Sequence, residues 1–399
     1  MTAKNRKPAR LPALSRAAAW RKARGPAMAL MAGLLAACQV IPQGPHEAPP
    51  PPAQGSAIAL PRDGARHRVA LLVPLGAGGQ AGAGQAIANA ATMALLDTNA
   101  DTIRITTYDT SAGVSAAAAR AIADGNKLIL GPLFTEETQA VAMAARPARV
   151  PVIAFANDAG LAGENLFIMG TPPEQPIARV VRQARAAGVQ RFAALIPHGA
   201  YGTRASSAMI EAVRANGGTL VGMEGYERTP ASVQAAARRL KAHGPIDAVL
   251  VADEPRVAID AASVLKAGNP QLRLLGTDLW TGDAAIARSP LFNGALYAAL
   301  SDQRYARFAE SYKSRYGTAP HRIATLGYDS VLLTLRLARD WPAGGPFPTA
   351  RLFDHDGFLG LDGVFRFDVA DVIQRALEVR EVRRTGVAVV SPAPARFAN

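Results

Sequence analysis

From residue 66 onward the chain repeats one pattern: a short run of wholly apolar residues, a longer Ala-rich stretch, then another apolar run. A strand that is apolar on both faces must be covered on both faces, and that is the condition of a parallel sheet layered between helices. The pattern predicts strands at His67 to Pro74, Ile103 to Tyr108, Leu128 to Leu130, Val152 to Phe155 and Leu166 to Met169. A second series follows at Arg191 to Ile196, Thr219 to Tyr226, Ala248 to Val251, Arg273 to Gly276 and Leu296 to Ala298. Helices are expected between them, for example Gln85 to Asn99, Glu136 to Ala145, Ser206 to Asn216 and Arg256 to Ala267. The class implied is α/β, with the functional loops at the carboxyl ends of the strands.

About 325 residues, Arg66 to Val390, are more than one hydrophobic core usually serves, so two Rossmann-like lobes with parallel sheets are expected. Helical patterning returns at Gln303 to Tyr316 and Ile323 to Ala338, followed by the β-like runs "GVFRF" and "LEVREV". A chain that builds one lobe, then the other, then revisits each crosses between them three times and leaves a hinge. The expected division is 66–178 with 299–340 for the first lobe and 179–298 with 341–390 for the second.

Ahead of residue 66 the chemistry changes. Eight Lys or Arg residues and no acid precede eleven uncharged residues, Ala27 to Ala37, too few for the roughly 20 that a spanning helix needs. Leu35-Ala36-Ala37-Cys38 resembles the lipobox of bacterial lipoproteins, which implies a signal peptide over 1–37 and a lipid on Cys38, the lone cysteine. An ordinary secretory leader or an internal apolar helix is the alternative. Residues 38–65 are rich in Pro and nearly free of large apolar side chains, the composition of a semi-rigid tether. Gln39 after the cysteine resembles lipoproteins sorted to the outer membrane. Without the leader, 44 minus 8 leaves 36 basic residues against 31 acids, about +5 rather than +13, so the composition gives little support to a nucleic-acid partner.

The sequence holds no GxSxG elbow, Walker A loop, HExxH, CxxC or DxDxDG pattern, and its six histidines are scattered. No catalytic residue, metal site or cofactor is therefore assigned, and the chain is not read as an enzyme. In "GAGGQAG", Gly76, Gly78 and Ala81 formally satisfy a dinucleotide fingerprint, but the acid it requires fits neither Asp97, inside a helical stretch, nor Asp109, 33 residues from Gly76. A loop that lets a helix start close to its strand is the simpler reading.

The runs "VALLVPL", "YDT", "LILGPLFTEET", "VPVIAFAND", "FIMG", "AALIPHGAYG", "AVLVADE", "LLGTDLW" and "RYGTAPHRIATLGYDSV" resemble, in order and spacing, the type 1 periplasmic binding proteins of the leucine-binding branch. The resemblance implies a small polar ligand held between two lobes that close on a hinge. It implies first-lobe ligand loops at Phe134-Thr135 and Ala156-Asn157-Asp158, and second-lobe contacts from Tyr201, Asp253, Asp278 and Trp280. On this mapping Thr135 would cap a helix whose free amides hold an anion, and carboxylates across the cleft would hold an ammonium. Glu136, Glu137 and Asp158 depart from amino-acid binders: if they face the ligand, each opposes a ligand carboxylate by about 1 to 4 kcal/mol. The other reading leaves Glu136 and Glu137 in solvent, favouring the helix dipole.

Within that fold, "GPLFTEET", "IAFAND", "GTDLW" and the lipobox with its tether resemble penicillin-binding-protein activators, which stimulate a peptidoglycan synthase from the periplasmic face of the envelope. The alternative is the substrate-binding lipoprotein of an ABC importer for amino acids, amides or similar solutes, with a permease as partner.

Overall fold

The computed structural model describes residues 66–76 and 81–397. The leader, Cys38, the tether and Gly78 lie outside the described residues.

The first lobe starts with β1 (His67–Val73), α1 (Ala81–Asp97), β2 (Ile103–Asp109), α2 (Val114–Ala123), β3 (Leu128–Leu130), α3 (Thr135–Ala145), β4 (Val152–Ala154) and β5 (Leu166–Ile168). Its five strands lie in the order β2-β1-β3-β4-β5, each pair parallel. Alternate residues of β1 explain why helices cover both sides. Val69, Leu71 and Val73 enter one core, while Ala70 and Leu72 enter the core on the opposite face, all at most 1% exposed. Each such Leu or Val contributes about 1.5–3 kcal/mol of burial.

The second lobe repeats the plan with α4 (Glu174–Ala186), β6 (Arg191–Pro197), α5 (Ala200–Ala215), β7 (Thr219–Tyr226), α6 (Pro230–Lys241), β8 (Ala248–Val251), α7 (Pro255–Lys266), β9 (Arg273–Gly276), α8 (Ala284–Arg288) and β10 (Leu296–Ala299). The order β7-β6-β8-β9-β10 matches the first sheet. Along β6 the alternation recurs: Ala193 and Leu195 face one core, Phe192, Ala194 and Ile196 the other.

The two lobes also share a close contact. In each, the helix after the leading strand passes so near the strand's terminal proline that a Cβ would sit within bonding distance of a carbonyl: 1.9 Å from Pro74 O at Gly84, and 1.6 Å from Pro197 O at Gly202. Glycine is needed there for space. This contact also accounts for a difference from expectation. "HGAYGT" reads as a turn, yet α5 starts at Ala200 rather than Ser206, because Gly202 brings the helix against the strand; α1 likewise starts at Ala81 rather than Gln85.

After β10 the chain returns to the first lobe with α9 (Tyr305–Tyr316) and α10 (Ala324–Ala338), which packs along α1. A three-stranded antiparallel sheet follows: β11 (Phe358–Gly360), β12 (Gly363–Phe367) and β13 (Ile373–Arg375). Then β14 (Glu378–Arg383) pairs antiparallel with β10, and β15 (Gly386–Ser391) with β14, completing a seven-stranded sheet.

The expected assignment of 341–390 to the second lobe needs correction. Trp341, Phe347, Leu352, Phe358, Phe365, Phe367 and Ile373 pack into the core that contains Val69 and Leu71, whereas Leu377, Val379 and Val382 pack with the second lobe. A short strand's apolar alternation shows that it has a buried face, not which core receives it. Likewise α4 carries second-lobe core residues from Ile177 onward, so 174–178 belong with the second lobe.

The chain thus crosses at 169–173, 300–304 and 376–377. These crossings are bound to one another. The Gln175 side chain donates to the Ile373 carbonyl and accepts from the Arg375 amide at 2.9 Å, and Arg179 donates to the Leu377 carbonyl at 2.9 Å. Asp302 accepts from Arg322 at 2.6 Å and from Arg380. Burial works against ionisation of Asp302, but the two guanidinium groups outweigh it and hold its pKa below the usual range.

Candidate functional site

The carboxyl ends of both sheets carry the loops expected to hold a ligand. In the first lobe, Phe134 and Thr135 follow the Gly131-Pro132 turn. Phe134, with extended backbone, occupies the N-cap of α3, and Thr135 is the first helical residue with no side-chain cap. The expected Thr135 cap is corrected: Thr138 instead donates to the Phe134 carbonyl at 2.9 Å. Glu136 is exposed, as one reading of the sequence had it. Glu137 turns inward beside Thr110, and burial raises its pKa. Glu137 Oε2 and Thr110 Oγ1 are both buried, and the Thr110 hydroxyl beside the carboxyl favours its ionised form, against the larger effect of burial.

Ala156 is 2% exposed and packs in the core, so it lends backbone shape but little side-chain surface. Asn157 and Asp158 lie at its edge. Asp158 caps the short helical turn Ala159–Leu161 by accepting from Gly160 N. Both side chains also meet a residue that sequence inspection did not single out. Arg204, on α5 of the second lobe, donates to Asp158 Oδ2 at 2.8 Å and to Asn157 Oδ1 at 3.1 Å. No spacing rule exposes this contact, since 46 residues separate the pair and each lies in an ordinary local pattern.

The second-lobe candidates divide into two groups. Asp253, 1% exposed, accepts from Tyr226 at 2.9 Å, from Arg228 Nε at 2.8 Å and from the Glu254 amide at 2.8 Å. Trp280 closes the short helical turn Asp278–Trp280, is 0% exposed, packs edge-on to Phe292 at 5.4 Å and donates to the Asp253 carbonyl at 3.0 Å. The expectation that Trp280 contacts a ligand is corrected: the indole is walled into the second-lobe core because the Cα of Gly276 leaves room for it.

Tyr201 and Asp278 stay at the cleft, both half-buried. Burial, then the nearby Asp278 charge, raises the Tyr201 pKa. Burial pushes the Asp278 carboxyl up to about 6, opposed by its own backbone amide and by Arg375, and reinforced by Asp362. Arg375 and Asp362 belong to the returning segment, so Asp278 faces the hinge from the second lobe. Asp278 has no ion pair among the described residues. The structure therefore brings Asn157 and Asp158 to Arg204, and Tyr201 to Asp278, while Asp253 and Trp280 support the floor of the second lobe.

The Gly-rich loop has a similar resolution at its described end. Asp109 accepts from the Leu75 amide at 2.8 Å and the Ser111 amide at 2.9 Å, which lowers its pKa, and Ser111 accepts from Gly76 N at 2.8 Å. Its carboxylate fastens the β1 loop to the β2 loop. Among the described residues no cluster of His, Cys, Asp and Glu is arranged to hold a metal ion, and no helix is long and apolar enough to cross a membrane.

Two lobes of the same strand order, three crossings and a loop-lined cleft define a hinged two-lobe binding fold. The sequence profile of the periplasmic binding proteins matches residues 67–353, and the chain belongs to that family. Among solved structures, the periplasmic ligand-binding protein of a branched-chain amino acid ABC transporter from Burkholderia xenovorans LB400 is similar, with a TM-score of 0.69 and 16% identity over 83% of this chain and 96% of that one. The C-domain of LpoA from Haemophilus influenzae, described as a regulator of PBP1A, is similar with a TM-score of 0.61 and 20% identity over 81% and 99% of the two chains. At these identities the likeness is one of fold. An uncharacterised protein of Rickettsia prowazekii (strain Madrid E) is 28% identical over 180 residues, 45% of this chain, and the match spans about half of that relative's length (48%).

Proposed function

We propose that the chain is a non-enzymatic lipoprotein, anchored through Cys38 at the periplasmic face of the outer membrane, whose two-lobed domain stimulates a peptidoglycan synthase of the penicillin-binding class. The observation that carries this reading is Asp253. An acid that meets a ligand ammonium must be free to do so, and both oxygens of Asp253 are engaged within the second lobe by Tyr226, Arg228 and the Glu254 amide, which leaves Asp278 alone of the two expected acids for that role. In the first lobe Glu137 lies half-buried in the first turn of α3, the helix end where a ligand carboxylate would dock, so a zwitterion meets a like charge there. The lipobox pattern, the Pro-rich tether and the fold shared with the H. influenzae PBP1A regulator support the same reading.

The test is reconstitution. Purified full-length protein added to a purified bifunctional peptidoglycan synthase is expected to raise its polymerisation or cross-linking rate several-fold. Unchanged rates at saturating protein would sink the proposal.

One observation favours the alternative, an importer's binding protein: Asp278 faces the hinge without an ion pair among the described residues. Isothermal titration with amino acids and amides decides between them. Micromolar binding that Asp278→Ala abolishes would replace the regulatory reading with a transport one.

A further inference from the structure

The turn that resembles a first-lobe ligand loop already holds a cation, and the cation belongs to the chain. Arg204 extends from the second turn of α5, across the cleft, to the Asn157–Asp158 turn. One amino group meets Asp158 and the other Asn157, and the ion pair is largely screened from water, with side chains 16% and 20% exposed. Glu174, the first residue of α4, lies within electrostatic range of both Arg204 and Asp158. Glu174 Oε2 and Arg204 Nε are buried and bonded to nothing among the described residues. A guanidinium presents its donors in a rigid planar fork, so two neighbouring acceptors fix its direction as well as its position.

We propose that Arg204 is a latch between the lobes: it seats its guanidinium on Asn157 and Asp158, the turn expected to line the ligand cleft, and so holds the cleft closed without a ligand. In hinged binding proteins closure is driven by a molecule that touches both lobes, and only differential contact with the closed state can shift that balance. Here a covalently attached group makes the differential contact. Its effective concentration is fixed by α5, so the closed population does not follow the concentration of any solute. A ligand approaching Asn157 and Asp158 must first displace Arg204. The inference concerns the resting state of the cleft and stands whether the molecule regulates a synthase or serves a permease.

The experiment is a distance measurement by double electron–electron resonance on the full-length chain carrying Cys38→Ser, with nitroxides at Met143→Cys on α3 and Ile210→Cys on α5, both exposed positions in opposite lobes. The parent is expected to give one narrow distance that added amino acids leave unchanged. Arg204→Ala and Asp158→Ala are each expected to broaden the distribution and add a longer component. The exchanged pair, Arg204→Asp with Asp158→Arg, is expected to restore the narrow peak, which separates a lost latch from a damaged fold. An unchanged distribution in Arg204→Ala overturns the proposal. So does an exchanged pair that stays as broad as the single variants while circular dichroism shows it folded.

Discussion

The two lobes share strand order, alternating cores and the glycine contact behind the first strand, yet they treat the polar groups at their cleft ends in opposite ways. The second lobe ties its acid down: Asp253 is buried, bonded by Tyr226, Arg228 and a backbone amide, and held from behind by Trp280. The first lobe's Asp158 is instead held from the other lobe, by Arg204 at 2.8 Å, and its side chain stays 20% exposed. The lesson is that one repeated architecture gives a rigid half, whose acid is satisfied within its own lobe, and a more exposed half, whose acid is satisfied from across the cleft, so a residue's role cannot be transferred between halves on position.

The sharpest test of the rigid half is Trp280→Ala. Removing a fully buried indole is expected to cost about 3–5 kcal/mol, measured by urea unfolding; a loss under about 1 kcal/mol would mean that the ring is not part of the core. Next come the matched substitutions Gly84→Ala and Gly202→Ala, one per lobe. Each places a Cβ against a backbone carbonyl that cannot rotate away, at a cost of about 1–3 kcal/mol. Equal losses would confirm the shared contact, and a loss in one lobe alone would break the symmetry. Asp253→Ala is expected to cost about 2 kcal/mol, since Tyr226 loses its acceptor inside the core, whereas Arg228, about half exposed (54%), can turn to water.

A smaller effect depends on pH. Burial pushes the Asp278 carboxyl up to about 6 in the folded state, above the usual carboxylate range. The folded state therefore holds that proton more tightly than the unfolded chain, and its contribution to stability declines as pH rises from about 4 to about 6. Asp278→Asn is expected to gain in melting temperature on the parent across that window, then stay a constant amount ahead up to pH 8. A gap that does not change with pH would show that Asp278 binds its proton equally in the folded and unfolded states. The smallest expected effect lies in the exposed half. Thr110→Val removes the hydroxyl beside the Glu137 carboxyl and is expected to lower stability by at most about 1 kcal/mol; a larger loss would mean that Thr110 is a main support of the Glu137 side chain.

Much of the fold is legible in the sequence because parallel strands buried on both faces carry an uninterrupted apolar signal. "LIL" at 128–130 and "AVLV" at 248–251 are strands at the residues expected. What is not legible falls into two kinds. Short antiparallel strands such as Ile373–Arg375 alternate too briefly to show which lobe they join, and the core of Phe358, Phe365 and Ile373 is defined only by the packing of distant segments. Contacts between lobes leave no local trace: Arg204 sits in "YGTRASS", where nothing distinguishes it from an exposed helical arginine. The loops expected to hold a ligand are loops in the structure, but whether their side chains face a cleft or a core depends on burial, which separates Tyr201 and Asp278 from Trp280 and Asp253.

The position of β1 has a mechanical consequence. The polypeptide enters the described fold at its first strand, and that strand lies between β2 and β3, registered over His67–Val73 with one and Val69–Leu71 with the other. A pull applied ahead of His67 along the strand is therefore resisted by two parallel ladders loaded together in shear, rather than by a single edge peeled bond by bond. The cleft loops lie at the other end of the same strand, about 23 Å away for seven extended residues. Tension on the chain would be absorbed in the first sheet before it reached the hinge, leaving the lobes free to set their own angle.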